Sequence, residues 1–377
     1  MNPHPRWRPL LCWLVCASLA SACGGASTAR PVTARPSSSE AARRVHEQPA
    51  FELREEEVAF DAAGRAVHGT LAVPVAPGRH PALLLIAGSG PTDRDWNNPA
   101  MPGTNGSARL LAHELARRGV VVLRYDKLAT GRTGAPATVA WSDYVAEQRA
   151  AHATLLAHAA VDAEHVYLAG HSEGALHALH LLEQPGERFA GLVLLAGPGR
   201  TMSDVMLGQL EGNFRHVGLS GPMLEAQMGP LRSAMQRFLG GEPVDPRTVS
   251  EIPQVQQLFA SIFAPAGATF AREIFAFDPA AAVARIRIPV LVLNGGRDVQ
   301  VSPDLDARPL ADAARRGGNP DVTAHIAPEA DHVLKHQPTP IAQLDPVSIQ
   351  NGYNADGRVI DPDVLRHLVA WLADHAR

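Results

Sequence analysis

Cysteine is almost missing from this chain: its three residues, Cys12, Cys16 and Cys23, all fall within the first 23 of 377 positions. The rest of the chain can form no disulfide and supplies no thiol nucleophile. An excess of charge is missing too. With 34 Lys and Arg against 38 Asp and Glu, the formal charge is −4. Nucleic acid, which needs a basic footprint, is therefore not an expected partner. No internal repeat and no long biased tract interrupts the body. What is there is a globular composition, 46% hydrophobic and 19% charged, on a chain long enough to bury a large core without cross-links.

The first residues follow a different logic. Arg6 and Arg8 precede an apolar stretch from Leu10 to Ala20, which closes on Ala20-Ser21-Ala22. Basic, apolar and small, in that order, is the layout of a secretory signal, and the apolar stretch is short for a bilayer span. Cys23 follows at once, an arrangement that resembles the lipobox of bacterial lipoproteins, although Ala20 stands where that motif usually has leucine. Residues 1–22 are expected to be a signal peptide and Cys23 the candidate lipid anchor, with ordinary cleavage at the same bond as the alternative. The expected location is the periplasm or cell envelope of a bacterium. Residues 23–50, rich in Ser, Ala, Pro, Arg and Gly without an apolar period, read as a flexible tether.

From Phe51 the pattern becomes that of a fold. Residues 51–73 suggest a hairpin turned at Asp61-Ala62-Ala63-Gly64. Residues 82–87 are a continuous apolar run, as suits a strand buried on both faces of a parallel sheet. Helical and strand patterns then alternate: helix 107–118, strand 120–125, helix 142–160, strand 166–169, helix 173–183 and strand 192–196. The alternation resumes with strand 290–294, helix 307–316, strand 321–327 and helix 362–376. Such alternation predicts an α/β fold, a mostly parallel, doubly wound sheet. Between the two runs, residues 200–285 carry helix-like stretches, glycines, prolines and the methionines 202, 206, 223, 228 and 235, but no apolar strand. They read as a mainly helical cap inserted into a core formed by 51–199 and 286–377. Helices packed on the side of the sheet are the alternative, since methionine serves both an adaptable surface and an ordinary core.

The chemistry concentrates at Gly170-His171-Ser172-Glu173-Gly174. This G-x-S-x-G follows an apolar strand directly and precedes a helical stretch with Leu176, Leu179 and Leu182 on one period. A sharp strand-to-helix turn projects the serine hydroxyl, and the helix N-terminus favours developing negative charge. The plain alternative is a serine that caps the helix. A hydroxyl needs a base to take its proton. His332, a few residues past the last strand, is the candidate base; His325 lies inside a strand pattern, and His336 reads as a pocket or surface residue. The group that orients the imidazole should follow an earlier strand, and Asp298, at the end of Asn294-Gly295-Gly296-Arg297-Asp298, does so. Asp304, a candidate helix cap, and Asp306 are alternatives, while Asp331 should point elsewhere. The oxyanion needs two backbone N–H donors. Glu173, after the nucleophile, is one candidate; Ser89, in the loop 88–95, is the other, with Gly88 or Gly90 in reserve.

The segments Gly88-Ser89-Gly90-Pro91-Thr92-Asp93-Arg94-Asp95, Arg124-Tyr125-Asp126-Lys127, 170–174, 295–298 and Ala330-Asp331-His332 fall in the order seen in the α/β-hydrolase superfamily. The chain resembles its bacterial carboxylesterase and serine aminopeptidase-like branch over about 51–377, least in 200–285. The resemblance implies the α/β-hydrolase fold and a cofactor-free serine hydrolase acting through an acyl-enzyme on a small ester or short acyl substrate. Peptide or thioester cleavage by the same triad, and a non-catalytic binding lipoprotein on the same fold, are the rival readings. Residues 128–132 depart from the family's shorter turn after the Asp-Lys pair. Asp93, Arg94 and Asp95 read as a salt-linked loop bracing the oxyanion site. His171, His177 and His180 lack the carboxylates or cysteines of a metal site, and none is expected. The side chain of Glu173 could receive a substrate amine or brace a neighbouring loop. Oligomeric state is not legible.

Overall fold

The computed structural model describes residues 51–99, 101, 103–345 and 348–376. The signal peptide, the tether and Cys23 lie outside the described residues. The body opens with a hairpin of β1 (Leu53–Ala62) and β2 (Arg65–Pro74), paired antiparallel along its length. Ala63 and Gly64 turn it, both with positive φ (53° and 81°), the backbone hand that matches the twist of the flanking strands.

Six further strands extend the sheet: β3 (His80–Ile86), β4 (Val121–Tyr125), β5 (Val161–His171), β6 (Gly191–Leu195), β7 (Val290–Gly295) and β8 (Val322–Ala327). Their spatial order is β1-β2-β4-β3-β5-β6-β7-β8. β2 meets β4 antiparallel, and every pair from β4 to β8 is parallel. Among the helices, α1 (Ser107–Ala116), α2 (Trp141–Ala157) and α3 (Glu173–Glu183) connect the earlier strands. The stretch between β6 and β7 holds α4 (Met202–His216), α5 (Gly221–Leu239), α6 (Pro253–Ile262), α7 (Ala268–Ala276) and α8 (Pro279–Val283). Then come α9 (Arg308–Arg316), α10 (Ser348–Gly352) and α11 (Pro362–His375).

The apolar runs are unbroken because both faces of the sheet are covered. Leu84 and Ile86 pack into one core with residues of α2, α3 and α9. Leu83 and Leu85, pointing the other way, pack with α1 and α11. Burying a leucine on either side contributes about 1.5–3 kcal/mol, so each residue of such a strand stabilises a different layer. One expected strand was too short. β5 begins at Val161 rather than Val166, because Asp162 to His165 are partly or fully exposed and carry no apolar run to mark them as strand.

The segment between β6 and β7 is helical and has a core of its own, joined to the sheet layer through Leu128, Val139, Trp141, Tyr144 and Leu176. Met202, Met206, Met228 and Met235 are buried in it, and only Met223 of the five is exposed. The four buried side chains fill an interior.

Candidate active site

The turn between β5 and α3 carries Ser172 in a backbone conformation that L-residues rarely adopt, φ 54° and ψ −124°. Strain of this kind costs about 1–3 kcal/mol and survives only where neighbours over-determine it. Here the Ser172 N–H donates to the carbonyl of Leu195 on β6 (2.9 Å). The two glycines close the turn. A Cβ on Gly174 would lie 2.5 Å from the carbonyl oxygen of Ile86, and one on Gly170 would lie 2.1 Å from that of Gly174. No larger residue fits either place. The Ser172 hydroxyl makes no capping bond to α3, so the helix-cap reading fails and the hydroxyl is free for another partner.

That partner is His332. Its Nε2 lies 3.1 Å from Ser172 Oγ, and its Nδ1 lies 2.8 Å from Asp298 Oδ2. A carboxylate only accepts, so Nδ1 carries the proton and Nε2 is left to accept from the serine. The other oxygen of Asp298 accepts from the N–H groups of Gln300 (2.8 Å) and Val301 (2.9 Å), which fixes the carboxylate in a buried position. Gly295 explains how two distant loops meet. A Cβ there would stand 2.2 Å from the carbonyl of Ala330, so only glycine lets the loop of His332 cross the end of β7, three residues before Asp298.

Asp331, beside the base, faces away from it. Its buried carboxylate pairs with Arg358 (2.6 Å) and accepts from the N–H groups of Val333 and Lys335, folding the loop that presents His332. His171 braces the same loop: its Nε2–H donates to the His332 carbonyl (2.8 Å), and its ring stacks on Trp96 at 4.0 Å. Burial, aided by the neighbouring His332, pushes the His171 imidazole down to about 3, so it stays neutral and keeps that donor. Sequence reasoning gave His171 no role, and only its place inside the elbow could have suggested one.

The expected alternatives are engaged elsewhere. His325 pairs with Asp363 (2.6 Å), His336 with Asp361 (3.1 Å), Asp306 with Arg200 (2.8 Å) and Asp304 with Arg308 (2.9 Å). Asp304 is not a cap, for Ser302 caps that turn. Asp93, Arg94 and Asp95 form no salt bridge with one another, although Asp93 accepts from the Asp95 N–H (2.8 Å). Arg94 reaches Asp126 (2.9 Å) and Glu57, Asp95 reaches Arg124 (2.7 Å), and Asp93 accepts from Asn97. The loop is therefore tied to β1 and to the β4 end, where Glu57 and Arg124 also hold Thr70 and Glu55.

Both candidate oxyanion donors flank the serine. Glu173 is the first residue of α3, where a backbone N–H has no intrahelical acceptor. Gly88, whose peptide carries the Ser89 N–H, packs so closely that its missing Cβ would touch Ser172 Cβ at 3.2 Å. The Glu173 side chain is buried 3.6 Å from Lys127 Nζ and 3.5 Å from His177 Nε2. Burial would push its carboxyl up, but Lys127 and His177 outweigh that and hold it below the usual range. His177 Nδ1 accepts from Trp141 Nε1 (2.8 Å), and His180 stacks on Trp141, so both histidines also pack on that ring. Among the described residues, the group whose ligand atoms gather closely enough to hold a metal ion is His325, Asp363 and His367, at the β8–α11 edge.

Behind this site, Glu147 on α2 is fully buried and accepts from the Leu128 N–H. Burial raises its carboxyl to about 8, against smaller opposing pulls from that N–H, Arg65 and Lys127. A carboxyl raised on folding stabilises the fold below its unfolded value near 4.5 and loses that contribution as pH rises toward 8. Glu147→Gln keeps an oxygen for Leu128 and removes the titration. Its melting temperature is expected to fall less than that of the wild type between pH 5 and 9, as measured by thermal scans; parallel curves would contradict a proton held on Glu147.

The chain matches the family model described as the alpha/beta hydrolase family over residues 83–344. It is 27% identical over 301 residues to Esterase EstD of Thermotoga maritima, a match covering 80% of this chain and 65% of that protein, just under two thirds of its length. Among solved structures it is similar to the alpha/beta hydrolase GrgF of Penicillium sp. sh18, with a TM-score of 0.51 and 15% identity over 86% of this chain and 99% of that one. The esterase Pf2001 of Pyrococcus furiosus gives a TM-score of 0.50 and 16% identity, covering 87% and 92% of the two chains.

Proposed function

Because the chain belongs to the alpha/beta hydrolase family, we propose that it is a serine hydrolase cleaving a carboxylic ester through an acyl-enzyme. The observation that carries this reading is the continuous relay from Ser172 Oγ through the His332 ring to Asp298, set at a strained strand-to-helix turn. In the reaction Ser172 Oγ attacks the ester carbonyl carbon and its proton passes to His332 Nε2. Asp298 stabilises the imidazolium that forms. The carbonyl oxygen, now an oxyanion, accepts from the Ser89 and Glu173 N–H groups. His332 then protonates the departing alkoxide, and water, deprotonated by the same imidazole, releases the acid.

An ester is favoured over a peptide amine substrate by the surroundings of Glu173. An aminopeptidase needs a carboxylate for the substrate ammonium, and this one already faces the Lys127 ammonium at 3.6 Å, buried. The similarity to an esterase supports the same choice. The test sets short-chain nitrophenyl esters against aminoacyl nitroanilides on the purified enzyme. Faster turnover of the esters is expected; preferential turnover of the anilides would replace esterase by aminopeptidase.

A further inference from the structure

Lys127 and Glu173 form a buried ion pair beside the nucleophile, with side chains 5% and 6% exposed and 3.6 Å apart. Neither acid–base transfer nor nucleophilic attack uses them. Burying two charges is costly and seldom stabilises a fold more than an apolar pair of the same volume, so their placement calls for a second reason. It lies in what each is joined to. The Lys127 ammonium donates to the carbonyl oxygen of Gly88. Glu173 is the residue whose own N–H opens α3 next to Ser172.

A peptide unit is planar, with its C=O and N–H on opposite sides. Fixing the Gly88 carbonyl toward Lys127 therefore fixes the direction of the Ser89 N–H, which is the other half of the same peptide. That peptide lies against the nucleophile, as the 3.2 Å approach of a Gly88 Cβ to Ser172 Cβ shows. A cation on the carbonyl also polarises the unit and makes its N–H a stronger donor. The Glu173 carboxylate holds the ammonium in place from the other side. We propose that the Lys127–Glu173 pair is a positioning device that orients the Ser89 N–H and ties it to the Glu173 segment, so that one buried ion pair aligns both donors to the oxyanion. This inference rests on the serine-hydrolase reading above.

The test uses Lys127→Met and the double variant Lys127→Met/Glu173→Met, with ester kinetics, thermal melting and the affinity for a trifluoromethyl ketone. Ser172 adds to the carbonyl carbon of such a ketone, its proton passes to His332, and the oxygen becomes an oxyanion in the same place. Losing an oxyanion donor outright costs about 10²–10³-fold in kcat, so misaligning one is expected to cost about 10–100-fold. KM should hold within about threefold, because the donors act on the transition state. Ketone affinity should fall by a factor similar to that in kcat. The single variant leaves Glu173 buried without its cation and loses stability; the double variant removes that unpaired charge, regains the melting temperature, and carries the test if the single variant does not fold. In it, kcat and ketone affinity are expected to stay low. Recovery of kcat together with stability would reduce the pair to a structural role and overturn the proposal, as would unchanged ketone affinity. Failure of the underlying reading is recognised separately: the wild type itself would then neither hydrolyse esters nor react with the ketone.

Discussion

Ser172→Ala is expected to lower ester kcat by on the order of 10⁴-fold or more, leaving the melting temperature within a few degrees of the wild type. The activity loss follows from removing the atom that bonds to substrate. The stability claim follows from what the hydroxyl does not do. It makes no cap bond to α3, and its contact is with His332 Nε2. Alanine inherits the same φ of 54° and the same backbone strain. A variant that loses activity by unfolding would melt early, so a thermal scan beside the assay separates the two causes. Turnover within tenfold of wild type would mean that another group attacks the ester.

The second large effect is expected at Asp298. Asp298→Asn should reduce kcat by about 10³–10⁴-fold, with folding nearly intact. One carboxylate oxygen accepts from the Gln300 and Val301 N–H groups, and the other accepts from His332 Nδ1. Asparagine has only one oxygen. Two loop amides hold it better than one imidazole does, so the new NH₂ turns toward His332. A donor there forces Nδ1 to become the acceptor, and the proton moves to Nε2. The imidazole then presents N–H to Ser172 and cannot take its proton. Steady-state kinetics read the loss directly, and a variant within tenfold of wild type would show that Asp298 does not set the tautomer.

The legibility of the sequence differed sharply between levels. The parallel sheet was readable because burial on both faces leaves unbroken apolar runs such as Leu83 to Leu85. Ser172 was readable because G-x-S-x-G stood between a strand and a helix, and chain order then pointed to Asp298 and His332, which the structure brings within hydrogen-bond reach. Polar side chains that act through one buried contact were not readable. Lys127 stands in the Arg124-Tyr125-Asp126-Lys127 segment with nothing local to show its partner, and it reaches Gly88 across 39 positions. Nothing in the sequence around Arg358 points to Asp331, on which it closes. Asp93 to Asp95 read as a salt-linked loop, and Arg94 and Asp95 are salt-linked, but their partners, Glu57 on β1, Asp126 just past β4 and Arg124 on β4, were not legible. Local patterns report periodicity and turns; they do not report which distant carbonyl or carboxylate a charge will meet once the chain closes.

The central claim is that three side chains from separate loops make one hydroxyl reactive. The most direct measurement is the site of attachment of a fluorophosphonate probe, found by digestion and mass spectrometry of the full-length protein. The account predicts one covalent label per chain, on the peptide containing Ser172, and none on Ser172→Ala. A wild-type protein that takes no label, or takes it on another residue, would contradict it.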